Sequence, residues 1–283
     1  MLLLILDAPR LLGQDSIPSV DIRSIPAPLA EGSIGWIEVR SDSVTSIESG
    51  EAGGEPLHLE RTEDGWYRAL VGVPVEVGDS FAITLGLRRA EKTATVKVSL
   101  PVRPASFPHE VLTVPPAFVK PDSISALRIQ SEIAQSREVS QRSHHRARLW
   151  RSPFVLPRPS RITSRFGTAR VYNGEVQSRH LGTDFAGAIG SPVRAAGRGR
   201  VALVADFYLA GRAIYLDHGG GVVTAYFHLS KAEVRQGQIV NGGQLIGRVG
   251  HSGRVTGPHL HWVARYGTIS VDPMSLPGVT QSK

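Results

Sequence analysis

Between residues 162 and 264 the chain is a succession of short apolar runs, at 162–166, 201–204, 213–216, 221–227, 239–240, 245–249 and 259–264, cut apart by glycine-bearing turns. Runs this short suit strands better than helices, and glycine supplies the conformations that turn the chain back. This half therefore reads as β structure throughout. The last run carries the strongest chemical signal. In Thr256-Gly257-Pro258-His259-Leu260-His261-Trp262 two histidines stand two apart, and strand residues i and i+2 share a face. Upstream, His180-Leu181-Gly182-Thr183-Asp184 offers a third imidazole and a carboxylate, and Tyr226-Phe227-His228-Leu229 a fourth imidazole. Neutral imidazole and carboxylate both suit zinc, and a catalytic zinc takes three protein ligands while leaving one position for water. In a straight strand His180 and Asp184 would lie about 13 Å apart. The chain must bend between them, and Gly182 is where it can.

These elements, in this order, resemble the LytM/lysostaphin-type zinc endopeptidases of bacterial cell walls. The resemblance covers roughly residues 155–276 and rests on His180-x-x-x-Asp184, Tyr226-x-His228-Leu229-Ser230 and Thr256-Gly257-Pro258-His259-Leu260-His261. Each element is weak alone, and the ordered set is specific. Ser164-Arg165-Phe166-Gly167, Tyr172-Asn173-Gly174, Asp217-His218-Gly219 and Val240-x-x-Gly243-Gln244-x-x-Gly247 also match the family pattern. The resemblance implies one zinc per chain on His180, Asp184 and His261. It makes His228 and His259 the paired catalytic histidines that handle the attacking water and the oxyanion, with the division of labour between them left open. Asn173 and His251 are expected to contact substrate, His251 because its Gly-Ser loop borders the cleft. The implied activity is hydrolysis of peptide cross-bridges of peptidoglycan in the cell envelope, periplasmic or secreted. A non-catalytic regulator that binds and activates other wall hydrolases is the alternative. The filled ligand positions weigh against it.

The chain has 283 residues and no cysteine, which excludes disulfides and thiolate chemistry. No apolar run approaches the ~20 residues needed to span a bilayer, and the start, Met1 to Asp7, lacks the basic leader and full apolar core of a clear signal peptide. Charge is uneven. Residues 1–100 carry 9 basic and 15 acidic side chains, residues 161–283 carry 14 and 6. A basic C-terminal half attracts anionic polymers or its own acidic N-terminal half. Nucleic acid is not expected as a partner, because interleaved aromatics are lacking. There is no P-loop, Gly197-Arg198-Gly199-Arg200-Val201-Ala202 is followed by a strand-like run instead of the helix a dinucleotide site needs, and His109-Glu110 lacks the second histidine of a zincin.

The organisation expected is mainly β: an N-terminal immunoglobulin-like β-sandwich, a helical linker and a C-terminal LytM-type β-sandwich. Residues 1–16 are assigned to a residual signal or disorder, 17–105 to the sandwich, 106–152 to a Pro-rich linker and helix, 153–276 to the peptidase and 277–283 to a tail. Strands are expected at 35–40, 71–77, 80–85 and 94–100, and a helix capped by Asp122-Ser123 is expected to run to about Arg148. His58, His144, His145 and His218 read as surface or turn residues. The opposite charges of the two halves suggest that the sandwich folds back over the groove.

Overall fold

The computed structural model describes residues 19–174 and 176–278. The expected leader at 1–16 and most of the 277–283 tail lie outside the described residues. The chain is mainly β, with one α-helix among the described residues. Two sheets form from the first hundred residues. One orders Val20–Ile25, Ile34–Ser41, Tyr67–Gly72 and Glu60–Arg61, the other Leu29–Ala30, Lys92–Arg103, Ser80–Arg89, Ser46–Ala52 and Glu55–Pro56. Alternation explains their packing. Phe81, Ile83, Leu85 and Leu87 are buried along one strand, and they meet Ile37, Val39, Ala69 and Val71 from the other sheet in a shared core. The strand expected at 71–77 instead spans Tyr67–Gly72. Pro74 has no N–H to give a ladder, and Glu76 and Gly78 take left-handed backbone.

Residues 104–122 do more than connect. His109–Leu112 pairs in parallel with Ala169–Tyr172, which pairs in turn with Val176–Arg179. The helix spans Ser123–Arg142, and Asp122 Oδ1 caps it by accepting from the Ser125 amide at 2.7 Å. It stops six residues short of Arg148 because the Ser143 hydroxyl is drawn into the fold, donating to Asp217 Oδ1 at 2.6 Å. The helix also turns an unexpected face inward. Ser136 and Ser140 are its buried residues, while Ile124, Leu127 and Ile133 stay exposed.

The remainder forms one strongly curved sheet in the order Ile162–Ser164, Thr183–Ala186, His259–Tyr266, Val222–Ala232, Gly211–Gly219, Gly199–Phe207, Ile239–Val240. One face buries Tyr226, Leu260, Trp262, Ala264 and Tyr266. The other carries Tyr215, Ala225 and Val263, together with the inner face of the helix. Val222–Ala232 changes partner along one edge, the other being taken by Gly211–Gly219. Up to Phe227 it pairs with His259–Tyr266, and from Leu229 it pairs with Leu245–Val249.

Four histidines read as surface groups fare differently. His145 is exposed. His218 is fully buried. His144 is half-buried, its ring between Glu55 Oε2 and the His58 ring, 2.9 Å from each. His58 is half-buried. Sequence patterns missed these because the partners lie in segments distant along the chain.

Candidate functional site

The site grows from strand pairing. Asp184 stands directly opposite His261, and His261 directly opposite Phe227. The two-residue period then puts His259 and His261 on one face, beside the Asp184 carboxylate. His180 precedes the strand Thr183–Ala186, and the chain bends at Gly182 as the spacing requires. That glycine is also forced by space. A Cβ there would sit 2.6 Å from His261 Cε1 and 2.7 Å from the Trp262 carbonyl oxygen. The bend brings His180 Nε2 to 3.0 Å from Asp184 Oδ1 and 2.9 Å from His261 Nδ1, and His261 Nδ1 to 2.7 Å from Asp184 Oδ1.

Surrounding groups fix the orientation of all three. His180 Nδ1 donates to the Arg165 carbonyl at 2.8 Å, which leaves Nε2 as a lone pair facing inward. Arg170 Nη2 donates to Asp184 Oδ2 at 2.8 Å and to Ser164 Oγ at 2.9 Å, leaving Oδ1 for the cluster. Phe227 stacks on His261 at 5.4 Å. Burial alone would raise the Asp184 carboxyl, yet the His180 and His261 rings outweigh it and hold the group well below the usual carboxylate range. Burial pushes His261 down to about 4 against the pull of Asp184. Three potential ligand atoms, one from a carboxylate and two from imidazoles, thus converge, all within 4.8 Å of one another. Their mutual spacing is near the ~3.3 Å edge of a tetrahedron built on ~2.0–2.1 Å bonds, so the donor set fits zinc.

Two more rings stand beside the cluster. His228 lies 4.9 Å from His259 and 5.8 Å from His261, ring to ring. Its Nδ1 donates to the Ser252 carbonyl and that of His259 to the Gly257 carbonyl, both at 2.8 Å. Carbonyls only accept, so both Nε2 atoms keep a free lone pair. His228 has φ +61°, a left-handed conformation rare outside glycine. It sits where its strand changes partner, and that irregularity aims the ring. Burial, then the His261 and His259 rings, keep His228 neutral well below the ordinary imidazole range.

Asn173 also has left-handed backbone, at the hairpin tip. Its side chain clasps the linker. Oδ1 accepts from the Val114 N–H and Nδ2 donates to the Val114 carbonyl, each at 2.9 Å. His251 is exposed, one residue before the Ser252 that anchors His228. Elements from outside the 153–276 stretch, the linker and the helix, also pack against this part of the sheet. Tyr208 OH donates to the Ala117 carbonyl at 2.9 Å, and Ile129 and Ile133 face Leu181 and Phe227. Arg170 and Phe227 escaped sequence reasoning. Phe227 lay within a quoted motif and was legible as the neighbour of His228, whereas nothing local to Arg170 points to Asp184.

The description Peptidase family M23 matches residues 178–273. Over 105 residues the chain is 46% identical to the peptidoglycan DD-endopeptidase ShyA of Vibrio cholerae, a stretch that is 36% of this chain and 24% of that protein. It is 39% identical over 127 residues to the DD-carboxypeptidase/endopeptidase Mpg of Neisseria meningitidis, 44% of this chain and 29% of that protein. The chain thus spans about a quarter of the length of these curated relatives. A crystal structure of a candidate M23 peptidase from Pseudomonas aeruginosa superposes with a TM-score of 0.64 at 25% identity, covering 89% of this chain and 95% of that one. The fold, the ordered motifs and these likenesses agree: the chain carries a peptidase family M23 domain of the LytM/lysostaphin kind.

Proposed function

We propose that the chain is a zinc metalloendopeptidase that hydrolyses peptide cross-bridges of bacterial peptidoglycan in the cell envelope. The observation that carries this reading is the convergence of His180 Nε2, Asp184 Oδ1 and His261 Nδ1 beside two further imidazoles with free Nε2 atoms. The family and the names of the curated relatives support it. His180, Asp184 and His261 would hold one zinc. When bound, zinc supplies Lewis acidity, polarising a carbonyl and lowering the pKa of a water to about 7. The chain's own residues do the rest. Arg170 fixes the carboxylate so that one oxygen faces the cluster. His228 and His259, each held by a backbone carbonyl through Nδ1, stand with their rings beside the cluster. One takes the proton of the attacking water. That ring, now carrying the proton on Nε2, can hydrogen-bond the oxyanion and then deliver the proton to the leaving amine. The sheets of the first hundred residues form an immunoglobulin-like sandwich, joined through 106–152 to a peptidase unit at 153–276.

The test is digestion of defined cross-linked muropeptides by the full chain, with products weighed by mass spectrometry and bound metal measured in parallel. About one zinc per chain and chelator-sensitive release of monomeric muropeptides are expected. Zinc without any cleavage would point to the regulatory alternative, and an Asp184→Ala chain that keeps its metal would sink the ligand set.

A further inference from the structure

Beside the site described above lies a second hollow of about 370 Å³, between the helix and the sheet face that carries the histidines. It shares a wall with the site. Leu181, next to His180, and Phe227, stacked on His261, line it. Ile129 and Ile133 close it from the helix, and Arg265 and Tyr215 from the sheet. Apolar side chains make up much of the wall, and among the polar ones Arg265 stands out. Arg265 lies on the histidine face, four residues beyond His261 along the same strand. Nη1 makes all the hydrogen bonds shown for its guanidinium: to Ser136 Oγ at 2.8 Å, and to the Ser136 carbonyl and Ser140 Oγ at 3.4 Å. Its Nε is buried with no partner, and no carboxylate of the described residues pairs with it. Burial lowers its pKa and Arg137 adds to this, with only Tyr215 opposing. Glu132, the acid in the lining, is engaged elsewhere. It accepts from Arg128 Nε at 2.7 Å and from the Tyr208 amide at 2.8 Å. A half-enclosed guanidinium without a counter-ion is costly, and a carboxylate is the group whose shape answers it.

We propose that this hollow binds the free carboxyl end of a short apolar peptide, with the carboxylate on Arg265 and small side chains along Ile129, Ile133 and Phe227. The four residues from His261 to Arg265 span about 13 Å, the length of three or four extended peptide residues at roughly 3.3–3.6 Å each. A peptide held this way lays a bond near its carboxyl end against the histidines. That link to cleavage rests on the hydrolase reading, whereas the binding does not.

The test is an NMR titration of the full chain with N-acetyl-trialanine and with its carboxamide. Saturable binding of the acid is expected, with the amide weaker by roughly ten-fold or more, the worth of one charge-assisted contact. Arg265→Met should erase that preference. Ile133→Trp, which fills the hollow from an exposed helix position and leaves Arg265 in the sequence, should weaken the acid by a similar factor and decides the matter if Arg265→Met fails to fold. Equal affinities, no binding of the acid at millimolar concentration, or a preference that survives Arg265→Met would overturn the proposal. So would octanoate that displaces the peptide as well as the peptide binds, since that marks an acyl-chain site. Muropeptide hydrolysis followed alongside separates the two readings. A chain that cleaves yet ignores the carboxylate retires the hollow alone, and one that binds the acid without cleaving retires the hydrolase alone.

Discussion

His228 shows how one residue can hold a site in place at a cost. Its left-handed backbone costs of order 1–3 kcal/mol, and the reward is a ring aimed between His259 and His261. His228→Ala and His259→Ala should therefore abolish hydrolysis while keeping metal, because neither offers a donor to the cluster of His180, Asp184 and His261. Metal analysis beside an activity assay checks this, and loss of zinc as complete as in His261→Ala would reverse the assignment. Gly182→Ala should act the opposite way. Its Cβ would press on His261 and on the Trp262 carbonyl, so zinc affinity should fall roughly ten-fold or more by displacement of a ligand ring. His218 yields a prediction about pH. Its Nδ1 donates to the Arg198 carbonyl at 2.9 Å and its Nε2 lies 2.8 Å from Thr224 Oγ1, so the neutral ring is satisfied on both sides. Total burial brings its pKa from 6.5 to about 4. The unfolded chain takes up that proton first as the solution is acidified. The associated stability is thus complete above about pH 6.5 and drains away toward pH 4, by roughly 3 kcal/mol in all. Urea unfolding at pH 7 and pH 5 should show a slope that His218→Gln loses. Equal slopes would refute it.

At the scale of elements, the linker is the surprise. Six prolines between residues 101 and 122 argued for a connector, yet four of its residues complete a three-stranded sheet whose middle strand carries Arg170. Asn173→Gly keeps the left-handed turn and deletes the clasp on Val114. It should raise hydrogen exchange across residues 109–114 at a cost of about 1–3 kcal/mol, and unchanged exchange would show that the clasp is idle. The elements legible from sequence were those in which a short period fixes geometry. Alternation placed His259 and His261 on one face, and the i to i+4 separation of His180 and Asp184 demanded a bend at the glycine. The helix misled for the same reason inverted. Its apolar residues were the ones expected inside, whereas the sheet accepts Ser136 and Ser140 and leaves Ile124 and Leu127 in solvent. The change of partner at His228 was hidden because it depends on which strands lie on either side.

For the molecule as a whole, the halves meet through apolar side chains more than through their opposite charges. Ile34 and Leu70 join the core cluster of Trp150, Tyr266 and Val271, and Trp36 lies 6.1 Å from Trp150, ring to ring. An ion pair of Glu76 with Arg179 sits at the edge of this contact. Salt should therefore do little to part the halves, since screening acts on exposed charges, whereas Leu70→Ala should cost about 2–5 kcal/mol and split one calorimetric transition into two. A single transition in that variant would mean that the coupling of the halves does not rest on this contact. The linker strand gives this arrangement a mechanical meaning. Glu110, on that strand, lies 3.2 Å from Arg170, whose guanidinium holds Asp184. Tension between the two halves would load the short ladder at residues 109–112, and as that ladder peels away the first grip to slacken is the one on the carboxylate at the heart of the site.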